Sequence, residues 1–390
     1  MNADKFLSEL VNFEKTRNSN FFSEYSLDEF SNICTKFLGS ERKGYRISIV
    51  GTNGKGSVSG FLNQFFFRAG FSTGLYTSPH LLTFTERIVL NLQNISETYI
   101  ENWLTGLNEN SLSEVKRCSY FEFLTLLALH YYQSESTEIQ IFEAGLGGRL
   151  DATKLCLPNS VVLTSIGMDH VEILGDNKKK ILREKMGIIV PETKYFFSPD
   201  LGEELNSEIL EVLPEGIELY SFEGYKPELE TYLEFNFRFS EFIFQTISGN
   251  LGISRKTIQT EMKIPVIQGR LEVLRESPFV IFDNAHNLQA LESLFHSLNV
   301  LYPMNQWTVI FANMKDKNIS ENLSYLVNRP DVLRIYQVIG DNFSSDSLEN
   351  DKIGVVTQDR ISQILSENDP ILVTGSFRLY ERIFSSLNQD

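Results

Sequence analysis

Residues 47–59 read I-S-I-V-G-T-N-G-K-G-S-V-S, an apolar, β-rich run meeting a turn of three glycines and one lysine. Gly51, Gly54 and Gly56 let the backbone turn tightly and aim N–H groups at anionic oxygens. Thr52, Asn53 and Ser57 complete the turn, and the apolar periodicity that follows points the start of a helix the same way. Lys55 adds a point charge suited to β- and γ-phosphates. The spacing departs from the usual G-x-x-x-x-G-K-[ST] loop. Ile49 and Gly56 stand where a glycine and a hydroxyl belong, and Ser57 comes one residue late. The plain alternative is a glycine-rich strand-to-helix turn with an incidental lysine.

Other segments carrying glycines, charges or hydroxyls lie just past expected strands, where open α/β sheets gather ligands. T-S-P-H-L at 77–81 reads alone as a turn, and beside a phosphate loop Ser78 becomes a candidate magnesium ligand. F-T-E-R-I follows at 84–88. Glu143 closes a strand ahead of the glycine-rich run to Asp151, E-A-G-L-G-G-R-L-D, which suits a carboxylate at the sheet edge or a loop with a surface salt bridge. His170 lies past another strand; a lone histidine is more often packed or solvated, and its neighbourhood to Glu143 is what raises it. Lys185, in R-E-K-M-G-I, is by default a solvated helix face, as is the run Lys178-Lys179-Lys180. D-N-A-H-N at 283–287 ends a strand and opens a helix, and Asx capping explains part of that cluster.

These groups need an α/β frame. Periodicity predicts helices over 58–70, 121–132 and 178–190, with strands over 72–77, 138–143 and 160–165, giving a parallel sheet whose loops face one edge. Residues 199–230 read as acidic and turn-rich, and 238–251 fits an aromatic helix or a strand equally well. A boundary near Gly269 divides the chain into domains 1–268 and 269–390. In the second, smaller α/β domain, strands fall near 279–282, 307–311, 333–338 and 371–373.

Composition sets outer bounds. With 390 residues, 42% hydrophobic and 22% charged, the chain suits two or three globular domains. A net charge of −16 argues against nucleic-acid or anionic-membrane binding and for a local positive site for any polyanion. Cys34, Cys118 and Cys156 are scattered without C-x-x-C spacing and read as reduced. The N-terminus has no signal-peptide core and no stretch is apolar enough to span a membrane, so a cytoplasmic protein is expected.

Taken together, these segments resemble the dihydrofolate synthase/folylpolyglutamate synthase family of the Mur-ligase superfamily. The likeness runs from about Ile47 to Phe377. It rests on G-T-N-G-K-G-S, T-S-P-H-L, F-x-E-R-I, F-E at Phe121, E-A-G-L-G-G-R-L-D-A-T, T-S-I-G-M-D-H-V-E-I-L-G, R-E-K-M-G-I, G-R-L-E at Gly269, D-N-A-H-N, M-K-D-K-N at Met314 and T-G-S-F at Thr374. Departures are Lys154 for the usual Asn, Gln268 for Pro, and Asn284 for a Gly, a change read as mild because Asn tolerates left-handed backbone. The N-P-Q usual after L-G, and the H-Q usual before the Asn matched by Asn236, are missing.

The resemblance implies a P-loop ATPase domain followed by a smaller Rossmann-like C-terminal domain. It implies an ATP site of Gly51, Thr52, Asn53, Gly54, Lys55, Gly56 and Ser57, with Asn236 as adenine contact, Arg270 as phosphate contact, Asp283 as ribose contact and His286 nearby. Ser78 and Glu143 would ligate one Mg2+, and Glu143, His170 and Lys185, the last as a carbamate, a second; a monovalent cation is a further candidate. Phe121 and Asp151 would contact the pterin. The expected reaction is ATP-dependent amide formation between L-glutamate and dihydropteroate or a folate, in a monomer with small-molecule partners only. Another Mur-type amino-acid ligase, and a nucleotide-binding regulator without catalysis, are the alternatives.

Overall fold

The structure is a computed structural model that describes residues 2–13, 26–224, 229–250, 263–314, 319–340, 343–367 and 369–387. The chain divides into two compact units, Met1–Gly224 with Asn236–Met262, and Tyr225–Phe235 with Lys263–Asp390.

The first unit is built on β1 (Tyr45–Val50), β2 (Thr73–Tyr76), β3 (Ile88–Leu90), β4 (Gln93–Asn94), β5 (Ile139–Glu143), β6 (Ser160–Leu163), β7 (Tyr195–Pro199) and β8 (Glu218–Phe222). They form one sheet in the order β4-β3-β2-β5-β1-β6-β7-β8. Strands β2, β5, β1, β6, β7 and β8 are parallel, whereas β3 and β4 add an antiparallel edge. The central strands β5 and β6 are buried throughout, which accounts for their mainly apolar sequences, I-Q-I-F-E and S-V-V-L. Because β1 lies between β5 and β6, the carboxyl ends of β1, β2, β5 and β6 share one edge. Ile49 stands opposite Glu143, and Val50 opposite Leu163.

Several expected elements shift. The helix after β1 runs Lys55–Arg68, three residues earlier than its apolar stripe suggests, because Gly54 in the left-handed region caps it. The helix carrying Lys185 is Lys178–Met186 and stops at Gly187, short of 190. Within the stretch read as turn-rich lie a helix, Glu203–Val212, and strand β8. The helix buries only Leu205, Glu208 and Ile209, so its acidic face hides the pattern. The ambiguous aromatic run is helical, Tyr232–Asn250. Phe235, Phe237 and Phe239 alternate like a strand, but Asn236, Phe239, Ser240, Ile243, Phe244 and Ile247 bury at helical spacing. Leu251 lies outside the described residues.

This helix packs on Lys55–Arg68 through rings, Phe244 stacking on Phe65 at 5.6 Å and meeting Phe66 edge-on at 4.9 Å, with Phe237 edge-on to Phe61 at 5.4 Å. Each such pair contributes about 0.5–1.5 kcal/mol beyond its area. The packing brings Asn236 to the phosphate loop.

The second unit has β9 (Glu272–Glu276), β10 (Phe279–Phe282), β11 (Trp307–Phe311), β12 (Val332–Val338), β13 (Ile353–Val356) and β14 (Ile371–Thr374) in the order β13-β12-β11-β14-β10-β9. Only β9 runs antiparallel. Apolar β10, β11 and β14 fall where the sequence places them; β9 and β13, carrying charges and glycine, do not announce themselves. No helix among the described residues is long and apolar enough to cross a membrane.

Candidate functional site

The turn after β1 is fixed from a neighbouring strand. Just past β6, Thr164 Oγ1 and Ser165 Oγ both donate to the Asn53 carbonyl, at 2.6 and 3.0 Å, while Asn53 N donates back to Ser165 Oγ at 2.9 Å. Thr52 N donates to the Ser165 carbonyl at 2.9 Å. Its hydroxyl donates to the Gly167 carbonyl at 3.2 Å and accepts from Gly167 N at 3.0 Å. A methyl group on Gly51 would lie 1.9 Å from Thr164 Oγ1, so only glycine fits there. Thr164 and Ser165 open the run T-S-I-G-M-D-H but carry no assigned role in the sequence; their signal was a pair of hydroxyls directly following an apolar strand.

Capping by Gly54 puts Lys55, Gly56 and Ser57 in the first helical turn, whose N–H groups have no intrahelical acceptor and sit at the positive end of the helix dipole. Ser57 is fully buried and its hydroxyl has no hydrogen-bond partner among the described residues. An orphaned buried hydroxyl costs about 1–3 kcal/mol, and a ligand at this turn would recover it. A methyl group on Gly54 would come within 3.3 Å of Asn236 Oδ1, so that buried amide borders the turn.

Two lysines converge on one carbonyl. Lys55 Nζ donates to the Gly51 oxygen at 3.1 Å, and Lys185 Nζ donates to the same oxygen at 2.9 Å. Lys185 is only 4% exposed, contrary to its default as a solvated helix face. Burial, reinforced by the charge of Lys55, pushes its amine down to about 7. Its helix seats closely against the glycine-rich loop. A methyl on Gly148 would lie 2.3 Å from the Lys185 carbonyl, and Arg149 N donates to the Glu184 carbonyl at 3.0 Å.

At the ends of β2 and β5, Ser78 N lies 3.4 Å from Glu143 Oε2, and Glu143 is buried. Ser78 is followed by a cis proline bond. Arg87, 1% exposed, donates through Nε to His80 Nδ1 at 2.9 Å and lies over the Tyr120 ring, joining F-T-E-R-I to T-S-P-H-L. His170 takes left-handed backbone, φ 50°, and caps the short helix Val171–Leu174; its Nε2 is 3.8 Å from Asp169 Oδ2. Among the described residues no group of three or more His, Cys, Asp or Glu side chains gathers as a metal site. The set matched by resemblance instead combines a hydroxyl, a carboxylate, an imidazole and an amine. As a carbamate the buried amine would present oxygen, a donor suited to a hard divalent ion.

Phe121 packs where a methyl on Gly145 would lie 2.9 Å from its ring. Asp151 is engaged within its own loop. Oδ2 accepts from Gly145 N and Leu146 N at 2.8 and 2.9 Å, and Oδ1 accepts from Thr153 N and Thr153 Oγ1 at 2.9 and 2.5 Å. Asp151→Ala strands three loop N–H donors, that of Thr153 buried, together with the buried Thr153 hydroxyl, so a loss of about 3 kcal/mol is expected. A lowered thermal midpoint of the full chain measures it; an unchanged midpoint would mean the loop does not depend on this carboxylate.

In the second unit, D-N-A-H-N does cap a helix: Asn287 accepts from Ala290 N at 2.9 Å and starts Leu288–Leu301. Asp283 is buried, accepts from Ala285 N, Leu271 N and the Tyr232 hydroxyl, and has its carboxyl raised by burial. Arg270 donates to the Gly269 carbonyl at 3.1 Å, and His286 Nδ1 lies 2.9 Å from the Asn284 carbonyl. Asn284 is not among the residues with left-handed backbone, so tolerance of that conformation is not why it fits; its buried Oδ1 has no partner among the described residues. Of M-K-D-K-N, only Met314 lies within the described residues.

Comparison with known proteins agrees with this geometry. Residues 269–377 match the family model described as Mur ligase, glutamate ligase domain. The chain is similar to the dihydrofolate synthase/folylpolyglutamate synthase of Buchnera aphidicola subsp. Schizaphis graminum (strain Sg), 28% identical over 396 residues, covering 94% of this chain and 93% of that one. In structure it resembles a bifunctional folylpolyglutamate synthase/dihydrofolate synthase with Mn, AMPPNP and L-glutamate bound, at 25% identity and a TM-score of 0.75, covering 93% and 94% of the two chains. Since it is also 30% identical over 307 residues to the Escherichia coli (strain K12) protein of the same double name, covering 72% of this chain and 69% of that relative, the chain belongs to the dihydrofolate synthase/folylpolyglutamate synthase family.

Proposed function

We propose that the protein is an ATP- and magnesium-dependent ligase that joins the amino group of L-glutamate to a carboxylate of dihydropteroate, of a folate, or of both. The observation that carries the reading is the convergence of Lys55 and buried Lys185 on the Gly51 carbonyl, beside the orphaned hydroxyl of Ser57. The relatives' double name and the AMPPNP and L-glutamate held by the similar structure support it.

A carboxylate resists attack by an amine until one oxygen becomes a leaving group. In the reaction, that oxygen attacks the γ-phosphorus and releases ADP, giving an acyl phosphate. The glutamate amine, having shed a proton, attacks the acyl carbon and expels phosphate. The first-turn N–H groups and Lys55 hold the phosphates and offset charge as the phosphoryl group moves. Asn236 borders the same turn as the adenine contact, while in the second unit Arg270, Asp283 and His286 serve the phosphate, the ribose and its surroundings. Ser78, Glu143, His170 and the Lys185 carbamate would hold two Mg2+ ions, which supply Lewis-acid charge when bound; a monovalent cation is a further candidate. Phe121 and Asp151 border the pterin. The functional division is 1–268, for ATP and pterin, and 269–390, for ligation, in a cytoplasmic monomer; it departs from the compact units, the second of which also takes in 225–235 and 263–268.

Phosphate release with MgATP and L-glutamate, run in parallel with dihydropteroate and with reduced folates, tests this. Release with dihydropteroate alone identifies a dedicated dihydrofolate synthase, with folates alone a polyglutamate synthase, and with both a bifunctional enzyme. Silence with every acceptor would overturn the reading in favour of another Mur-type ligase or a regulator.

A further inference from the structure

Asp283 ends β10, and its carboxylate is held unevenly. Oδ1 accepts one hydrogen bond, from Ala285 N at 2.9 Å, whereas Oδ2 accepts two, from Leu271 N at 2.8 Å and the Tyr232 hydroxyl at 2.5 Å. Each carboxylate oxygen offers about two lone-pair sites. Oδ2 is therefore filled, and Oδ1 keeps one site.

The donors to Oδ2 are themselves held. Leu271 has left-handed backbone, φ 41°, a conformation that costs a residue with a Cβ and persists only where its surroundings enforce it. Tyr232 N donates to Ser297 Oγ at 3.0 Å, and the Glu230 carbonyl lies 3.2 Å from His296 Nε2, so the segment 230–232 is pinned along the helix Leu288–Leu301. All these residues belong to the second unit.

We propose that Tyr232 is a positioning residue for nucleotide recognition: by filling Oδ2 it holds the Asp283 carboxylate so that Oδ1 is the acceptor presented to a ribose hydroxyl. The proposal rests on the reading of Asp283 as the ribose contact. Tyr232→Phe keeps the ring and its packing and removes only the donor. Oδ2 then gains a free lone pair, the carboxylate loses one of its three anchors, and the ribose hydroxyl meets an acceptor that is less well oriented.

The test is calorimetric binding of MgATP and of the magnesium complex of 2′,3′-dideoxy-ATP to the full chain, unsubstituted and as Tyr232→Phe and Asp283→Asn. The unsubstituted chain is expected to prefer ATP, and Tyr232→Phe to shrink that preference by about five- to tenfold, the scale of one ordinary hydrogen bond, because the tyrosine acts only through the carboxylate it orients. A general structural role would weaken both nucleotides alike, and that result, or no change with either, overturns the proposal. Asp283→Asn separates the two readings. If it leaves the preference intact, or if the unsubstituted chain shows none, the ribose assignment fails and the tyrosine proposal with it. If it removes the preference while Tyr232→Phe does not, only the tyrosine proposal fails.

Discussion

Lys55→Ala is expected to abolish ATP turnover, with a fall of about a thousandfold or more in acceptor-dependent phosphate release. The side chain occupies the first position of the helix Lys55–Arg68 and reaches back to the Gly51 carbonyl, so its charge lies over the turn that faces the phosphates. Among the described residues it makes no ion pair, and its hydrogen bonds go to the carbonyls of Gly51 and Thr52. The variant should therefore fold normally, with a thermal midpoint close to that of the unsubstituted chain. Near-normal turnover in a folded variant would sink the assignment of this turn to phosphate.

The second large effect is at Lys185. Its amine is buried, shares the Gly51 oxygen with Lys55, and feels Asp169, Asp151 and Glu184 only as weaker, longer-range charges. With burial and Lys55 lowering it to about 7, the amine is partly neutral, and Lys55 still serves the Gly51 carbonyl when it is removed. As a carbamate the side chain would instead carry a negative charge beside Lys55. Lys185→Ala is therefore expected to leave the fold intact and lower activity by about a hundredfold or more, the scale of losing an electrostatic group at the reacting centre. Acetate or another small carboxylate, diffusing into the vacated space, should restore part of it. Full activity without any added carboxylate would remove the carbamate from the mechanism.

How much of this was legible depends on what each residue does for its neighbours. The phosphate turn could be read because glycine, lysine and hydroxyl at short spacing have few other uses, and the central strands because burial on both faces demands mainly apolar residues. Edge strands could not: β8, β9 and β13 bury one face or less, and their charged or glycine positions look like loop. Residues 235–239 illustrate a different failure, since alternate phenylalanines mimic a strand while the wider spacing of 236, 239, 243 and 247 is helical. Lys185 looks like any basic helix residue, because nothing local encodes the glycine-rich loop from Gly145 to Gly148 that closes over its helix. Tyr232 was equally silent, its partner lying 51 positions away.

The two hydrogen bonds of the Thr52 hydroxyl to the N–H and the carbonyl of Gly167, together with those of Thr164 and Ser165 to Asn53, bear on the thermodynamics of ligand capture. A free glycine-rich turn would lose about 1–2 kcal/mol of conformational entropy per residue on being ordered by a ligand. Here the sheet imposes that order during folding, so an incoming triphosphate meets donors already in place, and its binding energy goes undiminished into holding the phosphates for transfer.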